Sequence, residues 1–147
     1  MKKIHFNLSK TRLKDKNEYR NRIDLLRNRL NLLTGKDKLL MTMYLEYGNS
    51  FRQMARLTGV NDTIIARRIR RLIKRLIDGE YIICLRNQNK FTKTEITIAK
   101  DYFLLGLSIK KIAAKRQMTY YRVREMVKRI QRTISTIGQD RRRAGDG

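Results

Sequence analysis

Two segments of the chain decide its fold: GNSFRQMARLTGVND at residues 48–62 and GLSIKKIAAKRQMTY at residues 106–120. They align without a gap at one constant offset, the offset that relates Ser50 to Ser108, and Gly48, Ser50 and Ala55 recur as Gly106, Ser108 and Ala113. Glycine commonly ends a helix and serine commonly caps the start of the next one. The recurrence of these helix-ending and helix-capping residues therefore indicates two copies of one folding unit. The apolar positions keep the same register, in the pairs Leu40 and Ile98, Met54 and Ile112, Val60 and Met118, Ile65 and Val123, Ile69 and Val127, Leu72 and Ile130, and Leu76 and Ile134.

Each copy is expected to form three helices. In the first copy, residues 34–78, they are predicted over 37–47, 50–59 and about 62–78, and in the second copy, residues 92–137, over 92–105, 108–115 and 119–137. The third helix of each copy has one apolar stripe with spacings of three and four residues, and its other faces are mostly basic. The predicted fold class is therefore all-α. A short helix, a tight turn and a longer basic helix in each copy form a tandem helix-turn-helix arrangement.

Three further segments lie outside the two copies. Residues 1–33 are predicted to form a basic N-terminal segment with an amphipathic helix, whose seam is Tyr19, Ile23, Leu26, Leu30 and Leu33. This seam either packs against the first copy or forms a coiled-coil dimer through the helix Tyr19–Leu33. Residues 79–91 are predicted to be a connector, as a short strand or an extended segment. Residues 138–147 are expected to be a basic disordered tail.

The composition points to a polyanionic partner. The 147 residues include 36 Lys and Arg against 13 Asp and Glu, a formal charge of +23. The excess is +7 in residues 1–33, +7 in 34–91 and +9 in 92–147, so it belongs to the folded parts as well as to the ends. About 18 consecutive apolar residues, as a membrane span requires, are found nowhere. Cys84 and His5 are the only residues of their types, which argues against disulfides and zinc and favours a reducing cytosol.

Residues 33–37, 48–61 and 64–72 resemble the promoter-reading region four of bacterial sigma factors. Residues 91–95, 106–113 and 121–124 are similar to the same region or to the related LuxR-type module, and together the two stretches cover about two thirds of the chain. In that family the residues just after the turn, and those one helical turn further on, touch bases. The resemblance therefore implies base contacts by Asp62, Thr63, Ala66 and Arg67, and by Tyr120, Tyr121, Arg124 and Glu125.

The leading hypothesis is sequence-specific binding of double-stranded DNA in transcription regulation, by a nucleoid-associated cytoplasmic protein. RNA polymerase is a candidate partner for one copy. The alternative is a structured-RNA or ribosome-associated helical protein, and an enzyme, a cofactor or membrane association is not expected. The residues predicted to contact DNA phosphates are Arg68, Arg70, Arg71, Lys74, Arg122, Lys128, Arg129 and Arg132.

Overall fold

A computed structural model describes the backbone of residues 13–145 and the side chains of residues 16–142. Residues 1–12 of the predicted basic N-terminal segment and residues 146–147 of the predicted tail lie outside it. Within the described range every regular element is helical, so the expected all-α class is confirmed. The helices are α1 (Leu13–Arg29), α2 (Gly35–Leu45), α3 (Phe51–Thr58), α4 (Asp62–Asp78), α5 (Glu80–Arg86), α6 (Lys93–Ala99, continued by a π-helical turn Lys100–Leu104), α7 (Ile109–Arg116) and α8 (Tyr120–Gly145).

The chain divides between Ile77 and Asp78 into two compact units, called here the first and the second unit. The bounds of their elements repeat at the same offset that the sequence shows. Helices α2, α3 and α4 begin at positions equivalent to the first residues of α6, α7 and α8. The 3-10 turn Leu30–Leu32 is likewise equivalent to the 3-10 turn Gln88–Lys90. Two residues related by this offset are therefore described below as occupying one repeat position.

The ends of the short helices α3 and α7 are built alike. The Ser50 hydroxyl accepts a hydrogen bond from the Gln53 amide at 3.1 Å, and the Ser108 hydroxyl accepts one from the Lys111 amide at 3.2 Å. Both helices then end on a residue in the left-handed region, Gly59 with φ +73° and Gln117 with φ +55°. A left-handed residue lets the chain leave the helix sharply, which sets the direction of the helix that follows.

The long helix of each unit is held by its apolar stripe. Ile65, Ile69, Leu72 and Leu76 of α4 are buried, as are Val123, Val127 and Ile130 of α8. Their partners in the two cores include the pairs predicted from the register, Leu40 with Ile98 and Met54 with Ile112, all of which are buried. Because these stripes face inward, most of the basic side chains on the other faces of α4 and α8 are directed to the solvent.

The N-terminal helix belongs to the core of the first unit. Ile23, Leu26, Leu30 and Leu33 are buried there, and Tyr19 is half-buried. Arg29, the last residue of α1, also donates hydrogen bonds to the carbonyl oxygens of Leu76 and Ile77 in the last turn of α4. The seam therefore packs inside the unit, the intramolecular alternative. A coiled-coil dimer through the same side chains would require them to leave this core.

The prediction of a strand or extended connector over residues 79–91 is wrong. Residues 80–86 form α5, and Tyr81, Ile82 and Cys84 are buried in the second unit, where α5 packs on α6 and α8. Glycine at position 79 does not separate a helix from an extended segment. It lies between two helices, with an extended conformation that lets the chain change direction.

The prediction of a disordered tail over residues 138–147 is also wrong for the part that the structure describes. Helix α8 continues past Ile137 to Gly145. Ile137 is buried while Ile134, which was predicted to be buried, is only half-buried, so the inward face of α8 turns slightly toward its C-terminal end. Arg141 and Arg142 are exposed on this added length.

Candidate nucleic-acid interface

The first turns of α4 hold the four base-contact residues predicted for the first copy. The side chain of Asn61 caps the helix by accepting a hydrogen bond from the Thr63 amide at 2.8 Å. Asp62 and Thr63 are therefore not needed as caps, and both are exposed. Arg67 is exposed too, whereas Ala66 is half-buried. Within the part of the chain that the structure describes, the Arg67 side chain makes no ion pair or hydrogen bond, so its guanidinium is available to a ligand.

The first turns of α8 are built in the same way and carry different side chains. The Thr119 hydroxyl caps the helix by accepting a hydrogen bond from the Arg122 amide at 3.1 Å. Tyr120 and Tyr121 are 54% and 69% exposed, so both rings are accessible to a ligand. Arg124 is exposed, and Glu125 is half-buried with a carboxylate oxygen 3.8 Å from the Lys128 ammonium.

The predicted phosphate contacts fall into two groups, of which the larger is exposed on the outer faces of α4 and α8. The residues concerned are Arg70, Arg71, Lys74, Arg122, Lys128, Arg129 and Arg132. Along α4 and α8, three repeat positions are basic and exposed in both helices: 70 and 128, 71 and 129, and 74 and 132. We call these three pairs the common basic positions. Their spacing of one, three and four residues places them close together along a helix.

Arg68 stands apart from the other predicted phosphate contacts. Its Nε lies 3.4 Å from an oxygen of Asp37, in the first turn of α2, and its side chain is 44% exposed. The same repeat position in α8 is Met126, which is half-buried. Part of the Arg68 charge is therefore directed to the protein itself, and this residue fits a phosphate contact less well than its exposed neighbours do.

Sequence reasoning missed an ion-pair cluster in the second unit. Asp101, in the π-helical turn after α6, is fully buried, and it accepts hydrogen bonds from Lys115 and Arg116 at the end of α7. The cluster fixes α7 against the helix before it, and so fixes the place where α8 begins. The signal that could have revealed it is the repeat itself, because Asp101 occupies the position of the buried Met43.

Three other features of the described residues bear on function: the reactivity of the Cys84 thiol, the grouping of side chains that could bind a metal, and the length and apolarity of the helices. Burial and the nearby carboxylates of Glu80 and Glu95 raise the pKa of the Cys84 thiol to about 12, which leaves it protonated and unreactive at neutral pH. Among the side chains of residues 16–142, His, Cys, Asp and Glu do not gather in a group of three or more that could hold a metal ion. None of the helices in the described range is both long and apolar enough to cross a membrane.

Comparisons of this chain with protein-family models, with curated proteins and with solved structures found no match. The assignment of a function therefore rests on the geometry and the charge of the two units.

Proposed function

We propose that the chain binds double-stranded DNA sequence-specifically and acts in transcription regulation, with α4 and α8 entering the major groove. The observation that carries the proposal is the recurrence of the three common basic positions on the same face of both helices. Retention of charge at three positions of α4 and α8, next to reading residues that differ between the copies, is best explained by a ligand that presents the same groups to both. The regularly spaced phosphates of a duplex are such a ligand.

The order of helices supports the same proposal. In the first unit α3 is followed by three residues, 59–61, and then by α4; in the second unit α7 is followed by 117–119 and then by α8. A short helix, a turn of three or four residues and a longer helix form the helix-turn-helix arrangement, in which the second helix reads base edges with its N-terminal residues. A region-four-like unit, as the sequence resemblance implies, would use Asp62, Arg67 and their second-unit counterparts in this way.

The alternative ligand, structured RNA, has the same phosphate charge as duplex DNA but a differently shaped major groove. The major groove of A-form RNA is deep and too narrow for a helix, so the N-terminal turns of α4 and α8 would not reach its base edges. The exposed Tyr120 and Tyr121 could stack on unpaired bases, which makes RNA with loops the strongest competitor in a binding test.

The proposal is tested by titrating a labelled random-sequence duplex DNA with the whole chain at several salt concentrations, with duplex RNA and a stem-loop RNA as competitors. We expect a linear plot of log affinity against log salt with a slope of about −0.9 for each neutralised phosphate, and weaker competition by either RNA. Selection of bound sites from the random duplex pool should then enrich a defined sequence. A flat salt response, or tighter binding to RNA, would contradict the proposal.

A matched pair of variants separates the proposed helix face from total charge. One variant carries Arg70→Ala, Arg71→Ala and Lys74→Ala on α4. The control carries Lys16→Ala, Arg20→Ala and Lys38→Ala, three exposed basic residues of α1 and α2. Both lose three positive charges, but only the first should make the salt dependence shallower by as many as about three phosphate contacts. Equal losses in the two variants would show that the binding is governed by net charge alone.

A further inference from the structure

The two units differ at each of the four positions predicted to read bases. These positions, called here the reading positions, hold Asp62, Thr63, Ala66 and Arg67 in the first unit and Tyr120, Tyr121, Arg124 and Glu125 in the second. The backbone around them is alike, since α4 and α8 begin at the same repeat position and each is capped by the residue before it. The difference between the units is therefore one of side-chain chemistry, presented on one scaffold.

Charge is inverted at the last reading position. Arg67 stands where the second unit has Glu125, and the arginine of the second unit, Arg124, lies one residue earlier, where the first unit has Ala66. One residue along a helix is a rotation of about 100° and a rise of about 1.5 Å. In a DNA complex Arg124 would therefore face a different base edge from the one that Arg67 faces. The position equivalent to Arg67 holds the carboxylate of Glu125.

Contacts within each unit do not explain the difference. Arg67 and Arg124 are exposed, and among the described residues neither side chain makes an ion pair or a hydrogen bond. The pair of Glu125 with Lys128, at 3.8 Å between partly exposed side chains, adds little to folding. Tyr120 and Tyr121 lie largely in solvent and fill no core. In contrast, the common basic positions a few residues further along keep their charge in both units.

The chemistry of base edges gives this pattern a meaning. Guanine presents two acceptors, O6 and N7, which suit a bidentate arginine and repel a carboxylate, whereas the amino group of cytosine donates to a carboxylate. A base pair that suits Arg67 is therefore disfavoured by Glu125 at the same position. We propose that the two units recognise different base sequences, so that the target is an asymmetric site composed of two unlike half-sites. This inference rests on the proposed binding of duplex DNA.

The test is selection of bound sites from random duplexes with the whole chain, followed by selection with a converted variant. The variant carries Tyr120→Asp, Tyr121→Thr, Arg124→Ala and Glu125→Arg, which give the second unit the reading residues of the first. We expect the wild-type chain to enrich two unlike half-sites, with guanine in the half-site that Arg67 reads. The variant should enrich two copies of that half-site, and it should bind the wild-type site about 10- to 100-fold more weakly.

A control variant exchanges exposed basic residues outside α4 and α8 without changing charge, by Lys16→Arg on α1 and Lys38→Arg on α2. It should enrich the wild-type site unchanged. Circular dichroism of each variant checks that the helices are retained. The selection with the wild-type chain tests the inference even if a variant fails to fold.

Each outcome of the selection is decisive for one of the two proposals. Two identical half-sites with the wild-type chain, a single half-site, or an unchanged site with a folded converted variant would overturn the inference and leave DNA binding intact. Absence of any enriched duplex sequence, or preference for RNA, would instead overturn the proposed function, and the inference with it.

Discussion

Asp101 and Arg116 form a bidentate ion pair in the second unit, with Arg116 Nε 2.8 Å from one carboxylate oxygen of Asp101 and Nη2 3.1 Å from the other. Lys115 adds a hydrogen bond of 3.0 Å to the same carboxylate. Burial alone would raise the pKa of Asp101, but the hydrogen bonds and charges of Arg116 and Lys115 outweigh it and hold the pKa below its ordinary value. The first unit has a buried methionine, Met43, at this repeat position.

Replacing Asp101 by Asn should destabilise the chain by about 2 kcal/mol at pH 7, because two cations lose a charged acceptor. The effect stays below the roughly 3–5 kcal/mol typical of a fully buried pair, since the Lys115 and Arg116 side chains are 43% and 35% exposed. Urea unfolding followed by circular dichroism measures it. A variant with the first-unit residues, Asp101→Met with Lys115→Leu and Arg116→Thr, should recover most of the loss. An Asn variant as stable as the wild-type chain would show that the pair contributes nothing.

The same pair predicts a loss of stability in acid. The folded-state pKa of Asp101 lies below the value near 4 of an unfolded aspartate, so the pair stabilises the fold fully above about pH 5. This contribution is lost as the pH falls through the depressed pKa of the folded state. Thermal unfolding measured from neutral to strongly acidic pH should therefore show a steeper fall for the wild-type chain than for the triple variant with methionine at 101. Parallel curves for the two proteins would contradict this assignment.

Gln117 and Gly59 are the left-handed residues that end α7 and α3. A residue with a Cβ is strained in this region by about 1–2 kcal/mol, so Gln117→Gly should stabilise the second unit by about 0.5–1 kcal/mol after the entropy of the added glycine. Gly59→Ala should cost about 1 kcal/mol through the backbone alone, because a Cβ there would meet no atom within 4 Å. Differential scanning calorimetry should show a higher unfolding temperature for Gln117→Gly and a lower one for Gly59→Ala. A stabilising Gly59→Ala would be incompatible with the φ of +73° at Gly59.

Most of the helices could be predicted from the sequence because the signals that define them are local. The constant offset between the two copies, the serines at 50 and 108, and the apolar stripe of α4 located α3, α4, α7 and the start of α8 correctly. Caps and periodic apolar positions depend on neighbours along one helix, and such information is complete in the sequence.

The segments that were predicted wrongly depend on contacts distant in sequence. Residues 80–86 are short for a helix by themselves, but Tyr81 and Cys84 occupy the repeat positions of Ile23 and Leu26, and all four are buried. The repeat therefore extends to the end of α1, and tertiary packing stabilises α5 as a helix. Likewise the last helix of the second copy was predicted to end at residue 137. In the structure Ile137 is buried in the core of the second unit, and α8 continues to Gly145. At the candidate interface, the sequence identified the charged face but not the pairing of Arg68 with Asp37.

Arg68→Met, which introduces the residue found at the same position in α8, should weaken duplex DNA binding less than Arg71→Ala does. Its guanidinium is already near Asp37, so its loss removes an exposed ion pair worth at most about 1 kcal/mol of stability. Fluorescence anisotropy with a labelled duplex compares the two variants at one salt concentration. If Arg68→Met were the more damaging change, Arg68 would leave Asp37 to contact DNA.

The arginines of α4 and α8 should divide into two classes by the kind of binding that they support. Arg67→Ala and Arg124→Ala should each reduce the discrimination between the selected site and a site with one changed base pair by about 1–3 kcal/mol, because in the proposed DNA complex each arginine makes a bidentate contact to a base edge. Arg71→Ala and Arg129→Ala, at a common basic position, should weaken all duplexes alike and lower the salt slope by about one contact each. Affinities of all four variants for matched and mismatched duplexes, at two salt concentrations, separate the classes. If Arg67→Ala lowered every affinity equally and left the preference for the selected site intact, then Arg67 would contact phosphate, and the reading positions would have to lie elsewhere on α4.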